Sequence, residues 1–309
     1  MRTAHALLLA LLLCVGCGDS ESDDPGTTSN ASTSNATSNA TSNATTGATS
    51  SNGTTGGTTG ATTGGTTGGA TGGTTGATTG GDTTPTEPTT EALTLTTSDG
   101  KALAATLITP GGAGPHPGVL LLHQFTASSA QWGDFLDELL EAGFAVLALD
   151  LRGHGDSDPQ DGSLTSLLTD PDQLPLDLAA GVDALAAAPR VDPARLGVLG
   201  TSVGANLAVV AGVQDLGVAA IVSVSPRLSS VSALAGDPPS LEVDTLFCVA
   251  GENDGQGAQA ETCQTLTEGA ATGELTILPD TSAHGRAIID DFPEVREAIV
   301  AWLGVQLAP

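Results

Sequence analysis

The stretch Gly200-Thr201-Ser202-Val203-Gly204 constrains the fold more than any other part of the chain. It reads G-x-S-x-G, with the apolar run Leu196-Gly197-Val198-Leu199 before it and Ala205-Asn206-Leu207-Ala208-Val209-Val210 after it. The first run predicts a buried strand and the second a helix, so the serine must sit in a turn sharp enough to join them. Glycine two residues before and two residues after the serine removes side chains that such a turn would force into collision. The hydroxyl then stands above a sheet edge, beside a helix N-terminus. With 41 glycines in the chain the bare pattern arises by chance, so the flanking strand and helix carry the inference.

A serine in that setting becomes a nucleophile only with a base and an acid, which in strand–serine–helix architectures follow it in the order Ser, Asp/Glu, His. The chain has His5, His116, His123, His154 and His284, and only His284 comes after Ser202. It follows a short apolar run, Leu275-Thr276-Ile277-Leu278, and a loop. The acid should end the preceding strand. Thr245-Leu246-Phe247-Cys248-Val249-Ala250 reads as that strand, and Gly251-Glu252-Asn253-Asp254 as its exit turn. Asp254 is the better choice than Glu252 because a residue deeper in the turn can swing back toward the histidine. Asp237 and Asp244 do not directly follow a strand. Read separately, His284 is a surface histidine and Asp254 a turn former; chain order and strand context together favour a Ser202–His284–Asp254 triad.

From residue 91 to 309 the chain has the length of one domain. Segments 92–97 and 102–108, joined by Ser98-Asp99-Gly100-Lys101, predict an opening hairpin. Strands near 118–123, 145–150, 195–201, 218–224, 244–250 and 274–279 alternate with helices near 129–143, 174–188, 203–213, 257–270 and 291–305. This alternation predicts an α/β class with a mostly parallel eight-stranded sheet covered by helices on both faces. Segments 157–173 and 225–243 are short, so there is no room for a large cap domain and the site should be open.

These motifs, together with Leu120-Leu121-Leu122-His123-Gln124-Phe125, the loop from Leu149 to Ser157 and Val191-Asp192-Pro193-Ala194-Arg195, resemble the α/β-hydrolase superfamily. Within it the chain is most similar to the dienelactone-hydrolase-like and serine esterase branches, over roughly residues 91–307. The resemblance implies an oxyanion hole made by the backbone N–H groups of Val203 and Phe125, with Gln124 standing where the family usually has glycine. It also implies that His123 holds a loop, and that Asp150, Arg152 and His154 shape one, instead of moving protons. No zinc-type Cys/His spacing occurs, and neither a metal nor a cofactor is implied.

The N-terminus carries Arg2 and an apolar run from Ala6 to Val15, too short to span a bilayer, which reads as a secretion signal over 1–16. Val15-Gly16-Cys17 matches the arrangement in which small residues precede a lipidated cysteine in bacterial lipoproteins, although Cys14 stands where leucine is usual. Residues 17–90 repeat Thr-Ser-Asn-Ala and Thr-Thr-Gly-Gly units with no large apolar side chain to offset ordering entropy, so they read as a flexible tether. Sequons beginning at Asn30, Asn35, Asn39, Asn43 and Asn52 follow from the repeat. The expected location is therefore outside the cytoplasm, lipid-anchored at a bacterial membrane on its periplasmic or cell-surface face.

The chain holds 35 acidic and 8 basic residues. The first 91 residues carry 7 of the acidic and 1 of the basic, which leaves residues 92–309 a formal net charge of −21. Such a field opposes nucleic acid, anionic membrane surfaces and anionic substrates. With no Tyr, 2 Trp and 5 Phe there is little surface to hold a long acyl chain, so short acyl esters are the expected substrates. A peptidase, and a non-catalytic scaffold displayed on the tether, are the alternatives. Cys248 and Cys263 lie in neighbouring elements, and either a disulfide or two buried thiols fits the sequence.

Overall fold

A computed structural model describes residues 85–309; the leader 1–16, Cys17 and the tether through residue 84 lie outside the described residues. The first strand, β1 (Thr89–Thr96), begins two residues ahead of the expected domain start and pairs antiparallel with β2 (Ala102–Thr109). The strands β3 (His116–Leu122), β4 (Ala145–Leu149), β5 (Val191–Thr201), β6 (Ala220–Val224), β7 (Thr245–Gly251) and β8 (Thr272–Leu278) complete one eight-stranded sheet in the order β1-β2-β4-β3-β5-β6-β7-β8. β2 meets β4 antiparallel, and every pairing from β4 to β8 is parallel. Six strands therefore end at one edge, and the loops after β3, β5, β7 and β8 share that edge.

Period-two alternation sends side chains to two cores. Leu120, Leu122, Val198, Leu246 and Cys248 enter one, under α2 (Leu174–Ala186), α3 (Val203–Val213), α4 (Leu228–Leu234) and α5 (Ala258–Gly269). Val119, Leu121, Leu199, Phe247 and Val249 enter the other, under α1 (Phe135–Glu141), α6 (Arg286–Asp291) and α7 (Pro293–Gln306). Both faces are covered, as the alternation of elements predicts.

Three details differ from the sequence expectation. The helix expected near 129–143 breaks into a 3₁₀ turn, Ser129–Trp132, and α1, because Gly133 between them has φ 45° and ψ −132°, outside helical space. The connection from β6 to β7 holds the short helix α4, which buries Val231 and Leu234 one turn apart. Before α7, the chain makes the separate helix α6. Among the described residues no helix is long and apolar enough to cross a membrane.

Cys248 of β7 and Cys263 of α5 are joined by a disulfide, with Cα atoms 5.3 Å apart. Alternation along β7 puts Cys248 on the face that α5 covers, and both residues are fully buried. The bridge closes a loop with a sequence separation of 15, which by loop-closure entropy stabilises by about 3 kcal/mol. Thiol labelling of the denatured, unreduced protein, mapped by peptide, should leave Cys248 and Cys263 unmodified. Reaction at both would contradict the bridge.

Candidate active site

Ser202 stands at the junction of β5 and α3 with φ 54° and ψ −111°, in a region that L-residues seldom occupy. The two flanking glycines have a steric cause. A Cβ on Gly200 would run into the carbonyl of Gly204, and one on Gly204 into the carbonyl of Leu122. The junction therefore packs against β3 at backbone distance, and the strained serine is held by its neighbours.

The loop after β8 brings His284 over this junction. Its Nε2 lies 2.8 Å from Ser202 Oγ. Its Nδ1 lies 2.9 Å from each carboxylate oxygen of Asp254, in the turn after β7. A carboxylate only accepts hydrogen bonds, so Nδ1 carries the proton and Nε2 is left to accept from the serine hydroxyl. Asp254 is buried, with its side chain 4% exposed, while the imidazole is 40% exposed. The carboxylate is thus shielded and the imidazole reachable from solvent.

Backbone contacts tie the Asp254 and His284 loops together. Glu252 N–H donates to Leu278 O at 2.8 Å and Asn253 N–H to Thr281 O at 2.9 Å. A Cβ on Gly251 would press on the carbonyls of Thr281 and Ala283, so glycine at the end of β7 permits this approach. Glu252, the alternative acid, faces elsewhere: its Oε2 accepts from Asp280 N–H at 2.8 Å.

Phe125 and Val203 occupy the expected places, after β3 and at the first position of α3. Among the hydrogen bonds of the described residues, neither backbone N–H donates to a protein acceptor. Both are thus without a protein acceptor, and Val203 lies at the positive end of an 11-residue helix.

His123 is fully buried; burial holds its imidazole far below the ordinary value, at about 4. The neutral ring accepts from Leu151 N–H at 3.0 Å through Nε2, and its Nδ1–H donates to Gln124 O at 2.8 Å. It staples the loops after β3 and β4 together. Asp150 does similar work: burial raises its pKa, but the N–H groups of Ser129 and Asp156 outweigh that and hold it below the usual range. Arg152 is fully buried between Asp177 and Asp99, and His154 packs its ring edge-on against His123 and Phe125. These are loop-forming contacts, and none of them is made to the hydroxyl of Ser202, whose partner is His284 Nε2.

Three participants are not evident in the sequence. Ser225, just past β6 with φ 63°, accepts from Gly285 N–H at 2.9 Å through its hydroxyl. Gln124 Oε1 accepts from Arg286 N–H at 2.8 Å. Gln131 links Gln124 N–H (3.1 Å) to the hydroxyl of Thr201 (2.9 Å). The signal for Ser225 is its place at the carboxyl end of the strand beside β5, and that for Gln124 is its departure from the glycine usual there; Gln131 gives none.

A mostly parallel eight-stranded sheet with a strained serine between its central strand and the next helix defines an α/β-hydrolase fold. The family model described as serine aminopeptidase, S33 matches residues 113–243, less than half of the chain. The chain is similar to an uncharacterized 31.7 kDa protein of the traX-finO intergenic region of Escherichia coli, 32% identical over 124 residues. That match spans 40% of this chain and 42% of the curated relative's length. Among solved structures, an esterase of Pyrococcus furiosus is similar with TM-score 0.56 and 22% identity, over 71% of this chain and 92% of that one. A dienelactone hydrolase of Anabaena variabilis has the same TM-score, 0.56, and 22% identity, over 72% of this chain and 99% of that one.

Proposed function

We propose that the protein is a serine hydrolase that cleaves carboxylic esters with short acyl groups. The observation that carries this reading is the continuous hydrogen-bonded line from Ser202 Oγ through His284 to Asp254. In it, Nε2 of His284 takes the hydroxyl proton as Oγ attacks the ester carbonyl, and Asp254 holds the imidazole's orientation and stabilises the imidazolium. The N–H groups of Val203 and Phe125 receive the negative charge that develops on the carbonyl oxygen. The imidazolium then gives its proton to the departing alkoxide, leaving an acyl-serine. Water, deprotonated by the same nitrogen, releases the acid and restores Ser202. No cofactor enters this cycle. The likeness to esterases supports the substrate class through the fold they share.

The similarity to the serine aminopeptidase family model favours a second reading, cleavage of a peptide next to a free amine. Against it, the β6–β7 connection offers only the short helix α4, with no cap to hold an amine. The test is labelling of the purified protein by a fluorophosphonate, with turnover of a short nitrophenyl ester against an aminoacyl nitroanilide. Labelling with ester turnover supports the proposal. Nitroanilide turnover alone selects the peptidase, and no labelling at all leaves the scaffold.

We also propose that Cys17 is lipidated and that the segment from Cys17 to the start of β1 tethers the enzyme to a bacterial membrane after export; the support is Val15-Gly16-Cys17 ahead of a Thr/Gly-rich repeat. A coil of this length has a root-mean-square span of about 47 Å. Cys17→Ala should shift the protein from the membrane to the soluble or unprocessed fraction with specific activity unchanged. A wild-type protein whose mass shows no lipid would reject the anchor.

A further inference from the structure

The turn that carries His284 depends on side chains for its placement. Gly285 has φ 54° and ψ −116°, so the chain leaves the histidine in a conformation that regular pairing does not hold. The next two N–H groups are taken by side chains from other loops: Gly285 N–H by Ser225 Oγ and Arg286 N–H by Gln124 Oε1. The Gln124 carboxamide and the nucleophile's Cβ approach the same glycine. A Cβ on Gly285 would be 2.6 Å from Gln124 Oε1 and 3.5 Å from Ser202 Cβ, so the glutamine and the serine flank the same glycine. Gln124 is itself fixed, because its own N–H donates to Gln131 Oε1, and Gln131, buried at 7% exposure, donates to Thr201 beside Ser202.

We infer that Gln124 is a positioning residue for His284, and that with Gln131 it locks the loop after β3, the serine turn and the histidine turn into one unit. This rests on the serine-hydrolase reading and adds a coupling to it. Phe125, whose N–H is the second oxyanion donor in that reading, is the next residue along. One side chain therefore registers the oxyanion donor against the base. Glycine at position 124 could not do this. The residue that stands in place of the usual glycine is what holds the histidine turn.

The experiment compares wild type, Gln124→Met and Gln124→Glu on a short nitrophenyl ester. Methionine matches glutamine in length and offers no comparable acceptor for Arg286 N–H; glutamate keeps an oxygen acceptor there and lacks the amide donors. Misplacing the base should lower kcat of Gln124→Met by about 10–100-fold. KM should change by less than about threefold, since the acyl and alcohol groups bind as before. Gln124→Glu should recover at least about tenfold of that loss, because its carboxylate accepts the same N–H. Wild-type kcat in Gln124→Met overturns the inference. Equal impairment of the two variants overturns it as well, because the amide N–H donors and not the acceptor would then matter. Fluorophosphonate labelling of wild type separates the two levels. With labelling intact, either result removes the positioning role alone; without labelling, the hydrolase reading itself has failed.

Discussion

Ser202→Ala should lower turnover of a short nitrophenyl ester by about 10⁶-fold, and His284→Ala by about as much, because members of such a triad act as a unit. The remaining activity would come from the N–H groups of Val203 and Phe125 and from binding. Asp254→Asn should cost less, about 10⁴-fold. An amide facing Nδ1 can donate, which favours the tautomer whose Nε2 carries the proton and cannot accept from the serine. Glu252→Gln should change turnover little: Glu252 Oε2 accepts from Asp280 N–H, and a glutamine oxygen can do the same. The thermal midpoint of Ser202→Ala should stay near the wild-type value, since alanine keeps the Cβ that the turn already accommodates and only the hydroxyl is lost. Steady-state kinetics on the four variants decides the matter. If Glu252→Gln is more damaging than Asp254→Asn, the acid is misassigned. If Ser202→Ala keeps wild-type activity, the catalytic reading fails and the scaffold replaces it.

How much of this was legible in the sequence depends on the range of the interactions. The strands were legible because their apolar runs are local, and the serine turn because its steric demands fall on Gly200 and Gly204. Chain order then left His284 as the one histidine able to reach Ser202. The break at Gly133 was less legible, since a glycine within an apolar helical pattern permits a break without requiring one. The disulfide stayed open for a different reason: the face of β7 on which Cys248 lies becomes informative only once α5 is known to cover it. Least legible was the glutamine brace. Gln124 and Arg286 are 162 residues apart, and nothing near either residue announces the other. A polar residue in a loop acquires its partner from the tertiary fold.

The same long-range logic makes Arg152 the residue whose loss should destabilise the domain most. Its guanidinium is fully buried and donates from Nε to Asp177 Oδ1 at 2.8 Å, while its backbone N–H reaches Asp177 Oδ2, also at 2.8 Å. The far end of the guanidinium forks onto Asp99 at 2.6 and 3.0 Å. Burial pushes the Asp177 carboxyl up, to about 6, and contacts with Arg152 oppose that rise. Arg152→Met would leave this carboxyl buried with only a backbone N–H as partner, at a cost of about 3–5 kcal/mol. For a domain of this size that is a fall in thermal midpoint on the order of 10 °C. Arg152→Met/Asp177→Leu removes both charges and should recover most of the loss, since an apolar pair avoids the desolvation that the ion pair must overcome. Two carboxyls set the pH dependence in opposite senses. Asp177, raised by burial from 3.8 to about 6, contributes stability that is lost as pH rises from 3.8 through 6. Asp99 acts at lower pH: its hydrogen bond from Arg152 lowers it to about 2 from 3.8, so the stabilisation it contributes is present above pH 3.8 and is lost as pH falls toward 2. Thermal unfolding of wild type, Arg152→Met and the double variant at neutral pH and at pH 3 tests all of this. A double variant no more stable than Arg152→Met would show that the guanidinium's packing, and not the stranded carboxylate, is what the fold requires.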